Sequence, residues 1–290
     1  MSETRVGFVG LGRMGTLMAA NLATGGFDLV VYNRTVAKAE AFAESHGTRV
    51  AGSLAELAAA SDVIVTMVAD GEALVSVYDQ AEPEIQAGSV AIDMGTSGTE
   101  AVAAVRRRLE NKGALLVDAP VSGSTPAAEA ATLLIMVGAT PEVFATVSPV
   151  LEAIGRPELV GPAGAGAALK LTVNSILYAL NQAFAEGVAL AEAAGVAPAT
   201  TQDVVARSAA GAPLISYRKP QYLDPEHAPV TFTLKLSAKD LHLALAAAAA
   251  AGVPMPQLER TMETVQALIA AGHGDRDMGF VVEAARRASS

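Results

Sequence analysis

A lysine and an asparagine stand four residues apart in the stretch Gly164-Ala165-Gly166-Ala167-Ala168-Leu169-Lys170-Leu171-Thr172-Val173-Asn174. That spacing puts both on one face of a helix. Their neighbours are mostly Ala, Leu, Val and Ile. An ammonium held among apolar side chains can give a proton to an oxygen on which charge develops, or take one back from it. Burial lowers a lysine pKa toward that task. A lysine that snorkels from the start of a helix has the same spacing, so the rest of the chain decides between the two readings.

The first strand, Val6 to Gly10, runs into Gly10-Leu11-Gly12-Arg13-Met14-Gly15, and Thr16 to Thr24 reads as a helix. Strand, glycine fingerprint and helix in that order form a dinucleotide site. Gly10 permits the tight turn, Gly12 lets a pyrophosphate approach the backbone, and Gly15 lets the helix pack on the strand. The helix N-terminus offers its N–H groups to the phosphates. A second strand, Phe27 to Tyr32, ends in Asn33-Arg34-Thr35. An NAD site usually has an acidic residue at this strand end for the ribose 2′-OH. Here the acid, Asp28, lies at the start of the strand. Arg34 suits a 2′-phosphate, and Asn33 and Thr35 add hydrogen bonds. NADP(H) is therefore expected in preference to NAD(H).

The elements that must position these groups alternate. Strands are expected at 49–50, 63–68, 89–93, 115–117, 132–138 and 158–161, with helices at 37–46, 54–60, 72–78, 99–111 and 141–154. The pattern is that of a doubly wound parallel sheet, an α/β Rossmann-type domain over residues 1–162. From residue 163 the chain reads as all-α. A long helix over about 167–194, roughly 40 Å at about 1.5 Å per residue, joins the two domains. Helices at 198–209, from Ser237-Ala238-Lys239-Asp240 to Ala251, at 254–271 and at 279–287 follow, and 212–222 is partly helical. This half, 163–290, is expected to bind substrate and to pack against a second subunit, in a homodimer or homotetramer.

Ligands of such sheets lie beyond the carboxyl ends of the strands. The loops there are Met67-Val68-Ala69-Asp70, Asp93-Met94-Gly95-Thr96 and Asp118-Ala119-Pro120-Val121-Ser122-Gly123-Ser124. Met67, Val68 and Thr96 are candidates for cofactor contact. Ser122 and Gly123 offer O–H and N–H donors to a substrate carboxylate, or else form an ordinary turn. The flanks of Ser122 and Ser124 are not those of a nucleophile elbow. Lys239-Asp240 is a second polar pair at a helix start. Asp240 bonds to Lys170 or to substrate and Lys239 reaches the cofactor, or the pair is a capping carboxylate beside a solvated lysine.

The 290 residues are 51% hydrophobic and 17% charged, which excludes a disordered chain, and the net charge of −10 argues against nucleic acid as a partner. Cysteine is absent, so thiolate and disulfide chemistry are excluded. His46, His227, His242 and His273 have no metal-ligand spacing, and no metal is expected. The most apolar runs, such as 241–252, are too short to span a bilayer, and the chain enters a strand at once without a leader pattern. A soluble cytoplasmic protein is expected.

In order and spacing, Gly10-Leu11-Gly12-Arg13-Met14-Gly15, Asp118-Ala119-Pro120-Val121-Ser122-Gly123-Ser124, Gly164-Ala165-Gly166 with Lys170 and Asn174, and Lys239-Asp240 resemble the β-hydroxyacid dehydrogenases over nearly the whole chain. Asn33-Arg34-Thr35 and Gly274-Asp275-Arg276-Asp277 look most like the glyoxylate/succinic semialdehyde reductases of that family. The resemblance implies use of NADPH on a small carboxylate-bearing substrate, with Lys170 catalytic and Asn174 placing the substrate. It implies that Ser122, Gly123, Thr96 and Phe232 line the site, that Lys239 meets the cofactor and that Asp240 supports the far wall. Gly95 departs from relatives that often carry Ser before Thr96. Two other readings are imine reduction on the same fold and a non-catalytic cofactor-binding protein. Imine reductases generally carry Asp or Tyr where this chain has Lys170, and an ammonium there would repel an iminium. The kept Lys170, Asn174 and small-residue loop speak against a protein without catalysis.

Overall fold

The computed structural model describes residues 4–288. The chain forms two compact units, and the boundary falls between Lys170 and Leu171, inside one helix.

The first unit is built on a nine-stranded sheet. Its strands are β1 (Arg5–Val9), β2 (Asp28–Tyr32), β3 (Arg49–Val50), β4 (Val63–Thr66), β5 (Val90–Asp93), β6 (Leu115–Asp118), β7 (Val121–Ser122), β8 (Leu133–Gly138) and β9 (Gly155–Gly161). The order β3-β2-β1-β4-β5-β6 is all parallel, the order of the dinucleotide-binding fold. Every residue of β4 and β5 is buried, as expected of strands covered on both faces. The parallel order expected from the alternating strands and helices holds through β6 and ends there. There β8 runs antiparallel to β6, β7 antiparallel to β8, and only β9 is parallel to β8. Parallel neighbours are joined by a crossover, usually a helix packed on the sheet. The link from β6 to β8 instead holds β7, which pairs antiparallel with β8, and the five-residue helix α6 (Thr125–Glu129), so β8 enters the sheet as the return strand of that pair. Both short elements lie in a stretch of small residues with Pro126, which carries no periodicity to reveal them.

Helices α1 (Arg13–Thr24), α2 (Val36–His46), α6 (Thr125–Glu129) and α7 (Pro141–Glu152) cover one face of the sheet through Met18, Leu22, Phe42, Ala128, Val147 and Leu151. Helices α3 (Leu54–Ala59), α4 (Gly71–Ala81) and α5 (Thr99–Glu110) cover the other through Leu57, Leu74, Tyr78, Val105 and Leu109. Each large side chain buried this way contributes about 1.5–3 kcal/mol. Asp70 caps α4 by accepting from the Ala73 N–H at 2.8 Å, a contact of about 1 kcal/mol.

Helix α8 (Ala165–Ala193) has 29 residues, about 43 Å at 1.5 Å each. Its first residues belong to the first unit, where Ala167 joins the core. In the second unit its Leu171, Tyr178, Phe184, Ala185 and Val188 pack with α9 (Pro198–Arg207), α10 (Pro213–Tyr217), α11 (Lys219–Leu223), α12 (Leu234–Ala251), α13 (Pro256–Leu268) and α14 (Val281–Ala288) around Leu214, Tyr222, Leu241, Val265 and Phe280. Thr233 caps α12 through the Leu236 N–H. The partly helical expectation for 212–222 resolves into two five-residue helices with Arg218 between them.

Candidate active site

The glycine turn lies in the first unit. Gly10 has φ +102°, and a Cβ there would sit 2.3 Å from the Met67 carbonyl oxygen. At Gly15 a Cβ would lie 1.9 Å from the Gly10 carbonyl oxygen, so α1 can start this close to β1 only with glycine at both positions. Gly12 differs: no heavy atom lies within 4 Å of where its Cβ would be. The space over the start of α1 is thus open, and a helix start leaves its first N–H groups without intrahelical partners. Residues 10–15 therefore fit a dinucleotide pyrophosphate. Leu11 and Asn33 have a different part. The Leu11 N–H donates to Asn33 Oδ1 at 2.9 Å, and Asn33 Nδ2 donates to the Thr35 carbonyl at 3.0 Å. Asn33 thereby ties the glycine turn to the end of β2. Arg13, Arg34 and Thr35 are exposed and Met14 is half-buried. Among the described residues Arg34 makes no ion pair, whereas Asp28, at the far end of β2, pairs with Arg49 at 3.1 Å.

Met67, Val68 and Thr96, all half-buried, follow β4 and β5. Asp93, at the end of β5, is fully buried and accepts from Thr66 Oγ1 and the Gly95 N–H, both at 3.2 Å. Burial pushes its carboxyl up to about 6, against those hydrogen bonds. A carboxyl raised in the folded state favours folding below its ordinary pKa, and that contribution is lost as pH rises through about 6. Between pH 4 and pH 7 the wild type should lose roughly 2–3 kcal/mol of stability relative to Asp93→Asn, measured by urea unfolding across that range. Parallel stability curves would contradict this.

Ser122 is half-buried at the end of β7, paired across to Leu134 of β8. Gly123 is exposed with φ +144°. Asp118, at the end of β6, is buried, and both its oxygens face the start of α8. Oδ1 accepts from the Gly164 N–H at 2.7 Å and Oδ2 from the Ala167 N–H at 2.9 Å. Burial raises the Asp118 pKa, and these two N–H groups and the Arg106 charge resist the shift. Lys170, half-buried, is the next helical turn. The start of α8 is therefore seated at the carboxyl edge of the sheet that carries the glycine turn.

In the second unit Asp240 is buried and collects several partners. Its Oδ2 accepts from Asn174 Nδ2 and from Tyr178 Oη, each at 2.8 Å. Lys239 Nζ lies 2.7 Å from Oδ1, an ion-pair contact outside hydrogen-bond angles. Because a carboxylate only accepts, the atom that Asn174 turns to Asp240 must be its NH2. Burial and the Asp240 charge push the Tyr178 phenol well up, so it serves as a donor. Phe232 is half-buried, with its N–H on Asp277 Oδ2 at 3.1 Å and its carbonyl accepting from the Met278 N–H at 2.8 Å. The expected alternatives for Asp240, a bond to Lys170 or to substrate, omit Tyr178 and Asn174. Tyr178 continues the face of Lys170 and Asn174 by one more turn, a signal the sequence carried. Asp118 heads the stretch Asp118-Ala119-Pro120-Val121-Ser122-Gly123-Ser124, but its partners lie 46 and 49 residues away and no local spacing reveals them. Among the described residues no His, Asp and Glu gather in threes to hold a metal, and no helix is long and apolar enough to cross a membrane.

Residues 5–173 match the family described as the NAD binding domain of 6-phosphogluconate dehydrogenase, and residues 164–285 that described as NAD-binding of NADP-dependent 3-hydroxyisobutyrate dehydrogenase. The chain is 33% identical over 285 residues, 97% of its length and 98% of the relative's, to glyoxylate/succinic semialdehyde reductase 1 of Arabidopsis thaliana. The chain belongs to the β-hydroxyacid dehydrogenase family. A second relative of this β-hydroxyacid dehydrogenase is 2-(hydroxymethyl)glutarate dehydrogenase of Eubacterium barkeri, 33% identical over 96% of this chain and 94% of that one. Among solved structures, a 3-hydroxyisobutyrate dehydrogenase of Mycobacterium tuberculosis with L-serine superposes with a TM-score of 0.88 at 31% identity, covering 98% of this chain and 100% of that one. Like its relatives, this β-hydroxyacid dehydrogenase is an NAD(P)-dependent oxidoreductase.

Proposed function

We propose that the protein is an NADP(H)-preferring oxidoreductase that interconverts small hydroxy acids and aldehyde acids, of the 3-hydroxyisobutyrate, succinic semialdehyde or glyoxylate class, with Lys170 as the general acid/base. The observation that carries this reading is the seating of α8. It sets Lys170 one turn beyond residues anchored at the carboxyl edge of the sheet, the edge that holds the glycine turn. Bound NADPH supplies a hydride to the substrate carbonyl carbon. Charge then develops on the carbonyl oxygen, and the Lys170 ammonium stabilises it and gives it a proton. In the oxidising direction a neutral Lys170 takes the proton back.

The Ser122 hydroxyl and the Gly123 N–H are assigned to the substrate carboxylate, Asn174 and Phe232 to placing the rest of the substrate, and Asp240 to supporting Asn174 and Tyr178 behind it. Gly10, Leu11, Gly12, Arg13, Met14 and Gly15, with Met67, Val68, Thr96 and Lys239, serve the cofactor. The names of the relatives support the substrate class. Arg34 and Thr35 select the 2′-phosphate, while Asn33 holds the loop that presents them. Arg34→Ala should raise the NADPH Kd roughly 10- to 150-fold, the worth of a charge-assisted hydrogen bond of about 1.5–3 kcal/mol, and leave the NADH Kd nearly unchanged. Equal effects on both cofactors in a fluorescence titration would overturn the preference. A panel of aldehyde acids and 3-hydroxy acids, followed by nicotinamide absorbance, tests the substrate class, and activity on cyclic imines instead would refute it.

We assign the protein to the cytoplasm as a homodimer or homotetramer. Ile176 and Leu190 support self-association: they are 64% and 74% exposed on α8, large apolar side chains of the kind that oligomers cover. Light scattering at micromolar concentration decides this, and a monomer would contradict it.

A further inference from the structure

We infer that Asp118 is a positioning residue for Lys170: its carboxylate seats the first turn of α8 on the sheet and so fixes the proton donor relative to the Ser122-Gly123 loop. The inference rests on the function proposed above, and its geometry lies wholly within the first unit. Both oxygens of Asp118 are used, Oδ1 by the Gly164 N–H at 2.7 Å and Oδ2 by the Ala167 N–H at 2.9 Å. One carboxylate thus spans the turn that ends three residues before Lys170. It also terminates β6, four residues before Ser122, so the same side chain is joined by short chain segments to both halves of the proposed chemistry.

The seat admits almost no slack. A Cβ at Gly166 would lie 2.3 Å from the Met136 carbonyl oxygen and 2.6 Å from that of Asp118. A Cβ at Gly138 would lie 2.6 and 2.7 Å from the two Asp118 oxygens. Glycine at 138 makes room for the carboxylate, and glycine at 166 lets the helix come down upon it. This accounts for Gly164-Ala165-Gly166 ahead of Lys170 as a docking device, and Gly164 itself takes φ +97° to turn the chain into it. A helix start favours a negative charge, so the anion gains from both its hydrogen bonds and the orientation of the turn. Asparagine has the same shape but one acceptor fewer: its NH2 would face one of the two N–H groups, and one anchor would be lost.

Because a misplacement of about 1 Å can cost on the order of 100-fold in rate, Asp118→Asn in the full-length protein should lower kcat roughly 10- to 100-fold. The NADPH Kd should stay within about two-fold, since the glycine turn is untouched. Hydrogen exchange should quicken at least about ten-fold in amides 164–170 and remain unchanged in β1, β4 and β5. Gly166→Ala displaces the same turn from the other side and should reproduce the pattern, which guards against a folding defect peculiar to one variant. Unchanged exchange at 164–170 in Asp118→Asn, or loss of kcat only in proportion to unfolded protein, would overturn the inference. Full turnover in Asp118→Asn beside a dead Lys170→Ala would also overturn it while leaving the proposed function standing. A wild type inactive on every aldehyde acid would instead refute the proposed function, and the exchange experiment would still decide whether Asp118 seats the helix.

Discussion

Lys170→Ala is expected to lower kcat about 10²- to 10⁴-fold, the usual contribution of a positioned general acid or base, while NADPH binds within about two-fold of the wild type. The two halves of that expectation have separate causes. Cofactor affinity rests on the glycine turn, where Gly10 and Gly15 allow a close approach and Gly12 leaves open space. A Cβ built at any of the three would meet no atom of α8 among its nearest neighbours. Turnover rests on a proton delivered to an oxygen that gains charge only as hydride arrives, so its loss acts on the transition state more than on binding. Lys170→Arg should restore little, since a guanidinium stays protonated and places its donors in a planar fork. Steady-state kinetics beside a cofactor titration check both parts. Turnover equal to wild type in Lys170→Ala would remove Lys170 from the chemistry.

The second large effect is on stability. Asp277→Ala should destabilise the second unit by about 3–5 kcal/mol, the penalty for breaking a buried ion pair from one side. Arg218 and Asp277 form that pair with side chains 7% and 3% exposed. The Asp277 carboxylate also accepts from the N–H groups of Thr231, Phe232 and Gly279, at 2.8, 3.1 and 2.9 Å. Removing it leaves a buried charge and three unpaired donors. Adding Arg218→Met should recover only the part due to the charge, because the three N–H groups stay orphaned. Phe232 should lose order as well, with consequences for substrate KM. Burial opposes ionisation of Asp277, but Arg218 and those N–H groups outweigh it and hold the carboxyl below its usual range. A depressed carboxyl contributes stability above its unfolded pKa of about 4 and loses it as pH falls through the lower folded value. The difference between wild type and variant should therefore be level from pH 8 to about 5 and shrink only in stronger acid. Urea unfolding over that range would contradict the account if the difference were below about 1 kcal/mol at neutral pH.

Much of the fold was legible because the physics that shapes it is local. Fully buried parallel strands read as apolar runs, and β1, β4 and β5 stood out for that reason. The glycine turn was legible because its backbone demands fall within six residues. The antiparallel return through β7 and α6 was not, since small residues and a proline carry neither period. In the site, Lys170 and Asn174 announced themselves by one helical spacing. Asp118 with Gly164 and Ala167, and Asp277 with Arg218 and Thr231, did not, because their partners are distant in the chain and each residue alone is an ordinary acid. Those acids do not carry out the proposed chemistry. They bond to the backbone of segments to which that chemistry is assigned, at Gly164, Ala167 and Phe232, and only the packed structure brings them there.

Hydride transfer from NADPH to the carbonyl of a small aldehyde acid is read out with NADPH deuterated at the transferable C4 position, glyoxylate and succinic semialdehyde as substrates, and mass spectrometry of the hydroxy acid formed. One deuterium on the carbinol carbon is expected for each NADPH oxidised with at least one of the two substrates. NADPH that stays unoxidised with both, or hydroxy acid formed without the label, would contradict it.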